Sequence, residues 1–256
     1  MRLKIFHIIN RLITDSFKPN KTDLNYVNIS QLREMTPHLL QGYLSDDERP
    51  NSLVLLPPPP DYNSVEFMLD LEHAKKAAEF KDHHRFVKAN SDADLAFPMA
   101  AKCFEETLGI EISEEKTPKL YVLMRRVMTD AGLSTYDAKN HYKRERPFVI
   151  NKTKTCIPDQ EEALSKAGSF PSGHAAIGWA WALIFSEIFP NKKDTIIERG
   201  YEFGQSRIIC HVHWNSDVEM GRKMGKATVE KLYANTSFQK DFNAAKKEIL
   251  KSLHLK

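Results

Sequence analysis

Several features that would place this chain in a specialised class are scarce. Its 256 residues include three cysteines, Cys103, Cys156 and Cys210, none in a CxxC pair, so a zinc ribbon, a thioredoxin-type redox motif and a disulfide-rich scaffold are excluded. None is followed by arginine at the sixth position, so the loop of cysteine-dependent phosphatases is absent as well. The cysteines permit at most one internal bridge, with three possible pairings, and leave the redox compartment open.

Long apolar runs and an excess of one charge are also missing. The longest apolar segment, residues 175–189, is too short to span a bilayer and contains Glu187. The net charge of +3 is too small to indicate nucleic acid or an anionic membrane as partner. Residues 1–4 have the charge of a secretory signal, but polar residues interrupt the apolar run that follows, and no small-residue cleavage site is evident. We expect an amphipathic N-terminal helix instead.

Helical periodicity dominates the rest of the chain. It begins at Ser64 and continues to the C-terminus without a linker-like gap, so we expect one domain. Residues 1–52 are predicted as an N-terminal segment of uncertain structure, and residues 53–256 as the folded domain. Four prolines at 57–60 predict a stiff extended connector. One predicted core helix has apolar residues at helical spacing: Leu120, Leu123, Met124, Val127 and Met128.

The most informative stretch is a loop of small residues, 168–174, that leads into the apolar segment 175–185. The length of that segment favours a helix buried on most faces. Ser172 is a natural N-cap, and the first N–H groups of a helix are free donors at the positive end of its dipole. Gly173 lets a bound group approach the backbone closely, and His174 adds a titratable ring. We therefore predict an anion cradle here.

Two further motifs carry positive charge or imidazole. Lys139 and Arg146 lie seven residues apart, so they are predicted to project from one face of a helix that Pro147 ends. Taken alone, a solvated basic helix end is the better explanation of that motif. His213 and Asp217 lie four residues apart, which allows a hydrogen bond through Nδ1 that leaves Nε2 as a nucleophile.

Together the three motifs supply what phosphoryl transfer needs. The nucleophile is His213 oriented by Asp217, and the proton donor to the leaving group is His174. No metal is required, because two arginines and a lysine balance the charge of the phosphate. The predicted substrate-binding residues are Lys139, Arg146, Ser172, Gly173 and Arg207.

Other motifs have simpler explanations. Ser91-Asp92-Ala93-Asp94 invites comparison with the DxDx[TV] loop of another phosphatase class, but Ala96 stands where Thr or Val is needed, and helix capping is the better account. His211 and His213 lack a third clustered ligand for a metal site. The residues after Asp217 are predicted to form amphipathic helix at the periphery of the fold.

The order Lys-x6-Arg-Pro, Pro-Ser-Gly-His, Ser-Arg-x5-His-x3-Asp resembles the signature of the type 2 phosphatidic acid phosphatase (PAP2) superfamily, which includes the vanadium haloperoxidases. From about Leu53 onward the chain is more narrowly similar to the bacterial class A non-specific acid phosphatases. The stretches that carry this likeness are residues 55–60, 168–174 and 199–207.

The resemblance implies an all-α, single-domain helical bundle that hydrolyses phosphate monoesters without metal or other cofactor. It also implies a phosphohistidine intermediate on His213, protonation of the leaving alcohol by His174, and a periplasmic location. Two departures stand out: no clear export signal is found, and His211 occupies a position that is usually small. An extra imidazole there would narrow the pocket or shift the pH optimum.

Two alternatives stay open: a vanadate-dependent haloperoxidase and an inactivated phosphate-binding module. A lipid phosphatase is disfavoured, because no spanning helix would hold it at a bilayer. An acid pH optimum is expected, since His174 must start protonated while His213 stays unprotonated on its attacking nitrogen. The sequence does not specify the preferred monoester, the balance between transfer and hydrolysis, or whether the chain forms a homo-oligomer.

Overall fold

The computed structural model describes residues 34–36, 39–80 and 83–254, and the predicted amphipathic helix at the start of the chain lies outside these ranges. Two short antiparallel strands, β1 (Glu34–Thr36) and β2 (Leu39–Leu40), precede a series of helices. The α-helices are α1 (Ser52–Leu55), α2 (Val65–Ala77), α3 (His84–Ser91), α4 (Lys102–Leu108), α5 (Pro118–Leu133), α6 (Tyr136–Tyr142), α7 (Pro147–Ile150), α8 (Glu161–Ser165), α9 (Gly173–Ile188), α10 (Lys193–Ile209), α11 (Asn215–Ala234) and α12 (Thr236–His254). Short 3₁₀ turns occupy Ala78–Phe80, Met99–Ala101, Pro158–Gln160 and Pro190–Lys192. The all-α prediction is confirmed.

Helix α9 lies at the centre of the bundle, packed against α5, α10 and α11. Its N-cap is Ser172, as predicted, and most of its side chains are buried. The Trp181 indole donates to the Met124 carbonyl of α5 at 2.9 Å, which satisfies the one polar atom of that buried ring. Helices α9 and α11 approach closely where a Cβ on Gly221 would lie 2.4 Å from the Ser172 carbonyl oxygen. The glycine therefore lets α11 pack directly on the loop that begins α9.

The helix starts predicted from capping and periodicity are largely confirmed. Ser64 caps α2 by accepting the Phe67 N–H at 3.1 Å, and α10 occupies the region predicted as helix between residues 194 and 210. None of the helices in the described ranges has the length and apolar character needed to cross a membrane.

The prediction that the C-terminal helices are peripheral is wrong. Phe238, Ala245 and Ile249 of α12 are fully buried and belong to the main hydrophobic core. They recur at helical spacing on one face, and that face packs against α5. The amphipathic pattern was read correctly as helix, but the apolar face is covered by the bundle instead of lying at its edge.

Residues 39–45 also pack on α5. The Asp130 carboxylate accepts the backbone N–H groups of Tyr43 at 2.7 Å and Leu44 at 3.2 Å. Arg126 donates to the carbonyl oxygens of Gln41 and Gly42. Part of the segment before residue 53 is thus fixed to the bundle by buried polar groups.

Candidate active site

The basic motif at residues 139–147 is built differently from its prediction. Helix α6 ends at Tyr142, Lys143 takes a left-handed conformation (φ 46°), and Pro147 is the first residue of α7. The prediction that Lys139 and Arg146 share one helix that Pro147 ends is therefore wrong. Proline is well suited to the first helical position, where no N–H is needed. Both basic side chains still reach the same site, because the chain turns between the two helices.

Arg146 is held rigidly by backbone carbonyls. Its side chain is 1% exposed, and Nη1 also donates to His213 Nε2 at 3.1 Å. The carbonyl acceptors are Leu164 and Ala167 for Nε, Val212 for Nη1 and Gly168 for Nη2. Because the guanidinium is fixed, its N–H groups that are not used in these bonds point in one direction.

Contacts at both ring nitrogens favour one tautomer of His213. Nδ1 lies 3.3 Å from Asp217 Oδ2, and an ionised carboxylate can only accept, so Nδ1 carries the proton. Nε2 faces Arg146, which can only donate, so Nε2 carries the lone pair. The predicted pairing of His213 with Asp217 is confirmed as geometry. Burial lowers the pKa of His213 well below its usual value, and the nearby cations Arg146, Lys139 and Arg207 lower it further.

In neutral His174 the proton lies on Nε2, whereas in His213 it lies on Nδ1. Its Nε2 lies 3.2 Å from the Ala93 carbonyl oxygen, an acceptor, so Nε2 carries the proton and Nδ1 has the lone pair in the neutral ring. Burial, followed by the charge of Arg207, holds the pKa of His174 well below its usual range. His174 is the second residue of α9, where the positive helix end acts in the same direction.

The remaining predicted residues lie around the same two rings. Ser172 accepts the Ala175 N–H at 3.3 Å as N-cap, and its own N–H donates to the Asp217 carbonyl oxygen at 2.8 Å. Gly173 is the first residue of α9. Lys139 Nζ donates to the carbonyl oxygens of the loop before α9, those of Gly168 and Ser169, at 3.3 and 3.1 Å.

Arg207 differs from Arg146 in having unused donors. Its Nε and Nη1 are buried, yet neither has a hydrogen-bond partner among the described residues. Burial lowers the pKa of Arg207 to about 9 and that of Arg146 to about 10, because each charged guanidinium loses its hydration when it is removed from water. Buried donors without partners are costly, and the positive charge of Arg146 acts on Arg207 as well. A bound anion would satisfy them.

Three side chains that position this site were not predicted. Arg144 Nη1 donates to Asp217 Oδ1 at 2.6 Å, and its Nη2 donates to Asp70 Oδ2 at 2.8 Å. Trp214, the N-cap of α11, donates its backbone N–H to Asp217 Oδ2 at 2.9 Å. An acidic residue at the third helical position, which accepts the backbone N–H of the N-cap residue, would have predicted the contact of Asp217 with the Trp214 N–H, but no local signal points to Asp70.

Asp92 has another role than the predicted helix cap. It lies at the C-terminal end of α3, and its carboxylate binds the Arg199 guanidinium and accepts the Ser206 hydroxyl at 2.6 Å. This buried network fixes the backbone next to Ala93, the residue that orients His174. The motif that resembled another phosphatase loop thus supports the second histidine.

His211, Cys156 and Cys210 lie beside the loop that carries His213. Cys156 and Cys210 form a disulfide that joins the segment after α7 to the end of α10, one of the three pairings left open. His211 is 6% exposed, with a left-handed backbone (φ 60°), and its carbonyl accepts the Phe148 N–H. Burial lowers the pKa of His211.

Comparison with known proteins agrees with this geometry. The profile of the PAP2 superfamily matches residues 120–238, which include all eight predicted site residues. A non-specific acid phosphatase of Providencia stuartii is 43% identical over 210 residues, covering 82% of this chain and 85% of its own. The non-specific acid phosphatase of Salmonella typhimurium is 37% identical, with 82% and 84% covered, and the acid phosphatase of Zymomonas mobilis is 34% identical, with 78% and 76% covered.

One solved structure supports the fold. A bacterial vanadium-dependent iodoperoxidase superposes with a TM-score of 0.51 over 70% of this chain and 52% of that chain. At 17% identity, this likeness shows a shared arrangement of helices.

Proposed function

Because this chain belongs to the bacterial non-specific acid phosphatases of the PAP2 superfamily, we propose that it hydrolyses phosphate monoesters through a phosphohistidine formed on His213. The single observation that supports this mechanism is the hydrogen bonding of the two ring nitrogens of His213. Its protonated Nδ1 is held by Asp217 while Nε2 presents a lone pair among buried cations. A nucleophile oriented by a third group is the arrangement that covalent catalysis requires.

Substrate binding uses the cations and the start of α9. The phosphate oxygens take the unused donors of Arg207, together with Arg146, Lys139 and the first N–H groups of the helix that Ser172 caps. The cradle stabilises the charge that spreads over the equatorial oxygens in the transition state. The backbone of Gly173 lies at the same helix end.

In the first chemical step His213 Nε2 attacks phosphorus in line with the ester oxygen. The N–P bond forms, the bond from phosphorus to the ester oxygen breaks, and His174 Nδ1 gives its proton to the departing alkoxide. In the second step water attacks the phosphohistidine while His174 Nδ1 accepts a proton from it. The P–N bond breaks, inorganic phosphate leaves, and both rings return to their starting states.

Metal independence is part of the proposal. Two guanidinium groups and one ammonium group offset the phosphate charge, which is the task that a divalent ion performs in many other phosphatases. Turnover of p-nitrophenyl phosphate should therefore be the same before and after dialysis against a chelator. A loss of activity that a divalent cation restores would contradict it.

The intermediate is tested by rapid quenching with a radiolabelled monoester. We expect label on the wild-type protein that is stable in alkali and lost in acid, as for a phosphorus–nitrogen bond, and no label or turnover with His213→Ala. The His174→Ala variant should accumulate label from p-nitrophenyl phosphate, whose leaving group needs little protonation. A folded His213→Ala protein with normal turnover would refute the assignment.

The haloperoxidase alternative is tested in the same preparation. Vanadate should inhibit phosphatase activity, because it occupies the cradle as a phosphate analogue, and should not confer halide oxidation. Halide oxidation that requires vanadate would favour the alternative.

We also propose that the protein acts in an oxidising compartment, the periplasm of its bacterium. The Cys156–Cys210 disulfide supports this location, since structural disulfides persist outside the reducing cytoplasm. The measurement is cell fractionation together with alkylation of free thiols. Protein found in the cytoplasm with both thiols reduced would contradict it.

A further inference from the structure

The dyad of His213 and Asp217 is the end of a longer buried chain of charges. Beyond Asp217 lies Arg144, and beyond Arg144 lies Asp70 of α2, so negative and positive groups alternate toward the nucleophile. All four residues are at most 5% exposed. The contacts join residues that are 73 and 74 positions apart in the sequence, which means that the tertiary fold places them.

Arg144 occupies a closely defined place. Its guanidinium carbon lies 5.9 Å from the centroid of the Phe67 ring and 5.6 Å from that of the Trp214 ring. Its two terminal nitrogens bind the carboxylates on either side, and Nη1 also donates to Ser216 at 2.8 Å. A planar guanidinium is suited to bridging two carboxylates in this way.

Asp70 fixes the other end of the chain to α11. It accepts the Ser216 N–H at 2.8 Å and the Ser216 hydroxyl, so its carboxylate lies at the N-terminus of the helix that carries Asp217. A negative charge is favourable there. Asp70 also balances the charge of Arg144, which would otherwise add to the buried positive charge.

We propose that Arg144, held by Asp70, is a positioning residue for the reaction, acting on His213 through the Asp217 carboxylate. Asp217 Oδ2 is shared between His213 and the Trp214 N–H, so the bond from Arg144 to Oδ1 determines how the carboxylate plane is oriented toward the ring. This inference rests on the proposed role of His213 as the nucleophile. The terminal nitrogens of Arg144 donate to Asp217, Ser216 and Asp70, so Arg144 should affect the attack more than phosphate binding.

The test compares Arg144→Lys, Arg144→Met and Asp70→Asn with the wild type. For Arg144→Met we expect kcat to fall roughly 10- to 100-fold, the equivalent of one charge-assisted hydrogen bond, and the inhibition constant of inorganic phosphate to change by less than about threefold. Arg144→Lys keeps the positive charge and loses the two-pronged guanidinium, so its kcat should lie between those of the wild type and Arg144→Met. Asp70→Asn should lose roughly three- to tenfold in kcat.

A matched control is available in the same fold. Arg126 and Asp241 form another, partly buried ion pair at 2.9 Å, which fixes the segment around Tyr43 and not the site. Arg126→Met should lower the melting temperature and leave kcat of the folded enzyme unchanged. If Arg144→Met does not fold, Arg144→Lys and Asp70→Asn decide the question.

A double-mutant cycle separates positioning from general loss of structure. If Arg144 acts through Asp217, then Arg144→Met should cost less than about threefold in kcat when Asp217→Asn is already present. The proposal is overturned if the folded Arg144 variants keep wild-type kcat, if phosphate inhibition weakens as much as kcat, or if the full loss recurs in the Asp217→Asn background. A folded His213→Ala enzyme with normal turnover would contradict the proposed nucleophile itself. An inactive His213→Ala enzyme together with Arg144 variants of wild-type kcat would contradict only the inference about Arg144.

Discussion

Replacing Asp217 with asparagine tests the proposed orientation of His213 as the nucleophile most directly. In the structure the carboxylate accepts three hydrogen bonds: His213 Nδ1 at 3.3 Å, the Trp214 N–H at 2.9 Å and Arg144 Nη1 at 2.6 Å. An amide of the same shape has only one acceptor oxygen and adds two N–H donors. Either orientation of the amide therefore places a donor against a donor.

The two orientations fail differently. With the amide oxygen toward His213, the NH₂ group faces Arg144, and a buried cation loses its acceptor at a cost of about 1–3 kcal/mol or more. With the amide reversed, the NH₂ group donates to His213 Nδ1, so the ring proton moves to Nε2 and the attacking lone pair is lost. The corresponding substitution in the Ser-His-Asp triad lowers kcat by about 10⁴-fold for the same reason. We expect a loss in kcat of roughly 10³- to 10⁴-fold for Asp217→Asn, or about 4–5.5 kcal/mol in activation free energy.

The assay is steady-state hydrolysis of p-nitrophenyl phosphate with phosphate inhibition and thermal unfolding measured in parallel. The inhibition constant of phosphate should stay within about threefold, because in the proposed site Arg146, Arg207 and Lys139 bind the anion and Asp217 does not. Asp241→Asn is the matched control: that carboxylate accepts the Tyr43 hydroxyl and Arg126 Nη1, so its loss should lower stability and not kcat. A folded Asp217→Asn enzyme with kcat within tenfold of the wild type would refute the reasoning.

Three further predictions concern pH and stability. The pKa values of His174 and His213 are both lowered, so His213 stays unprotonated in acid and His174 gains its proton only as the pH falls. The value of kcat/KM should therefore decline as the pH rises. A pH profile that climbs into the alkaline range would contradict this. Burial raises the pKa of Asp130 to about 6, above its unfolded value of about 3.9, so its contribution to stability is complete below about pH 3.9 and is lost as pH rises through about 6. Relative to Asp130→Asn, the wild type should lose roughly 3 kcal/mol in unfolding free energy across that window, measured by urea titration. Replacing Cys156 and Cys210 by serine removes a bridge between residues 54 positions apart and should lower the unfolding free energy by up to about 4 kcal/mol in a denaturant titration.

Local signals predicted the parts of the site that are local in the chain. The capping serine at 172 determines where α9 begins, so the placement of His174 on its first turn follows from the sequence. The four-residue spacing of His213 and Asp217 also limits their separation, and the contact at 3.3 Å agrees with it. Such features depend on a few neighbouring residues and on hydrogen-bonding rules that hold in any fold.

Signals that depend on tertiary packing were misread or missed. Proline is compatible with the end of one helix and with the first turn of the next, and only the left-handed Lys143 distinguishes the two at Pro147. Asp70 looks like one of many acidic residues on a helix face, since no pattern in its own helix distinguishes a buried carboxylate from a solvated one. Its role becomes visible only when α2 packs near the start of α11 and brings Arg144 between two carboxylates.

The distribution of buried charge supports the proposed anion cradle. Two carboxylates that could neutralise the site are already engaged: Asp217 by Arg144 and the backbone of Trp214, and Asp92 by Arg199 and Ser206. Neither accepts a hydrogen bond from Arg207 in the contacts described, and Arg207 Nε and Nη1 are left without a partner among the described residues. Buried positive charge without a partner costs stability, and a bound phosphate would recover it through charge-assisted bonds. In the proposed mechanism the two unpartnered donors of Arg207 would thus favour binding of the phosphate group of the substrate.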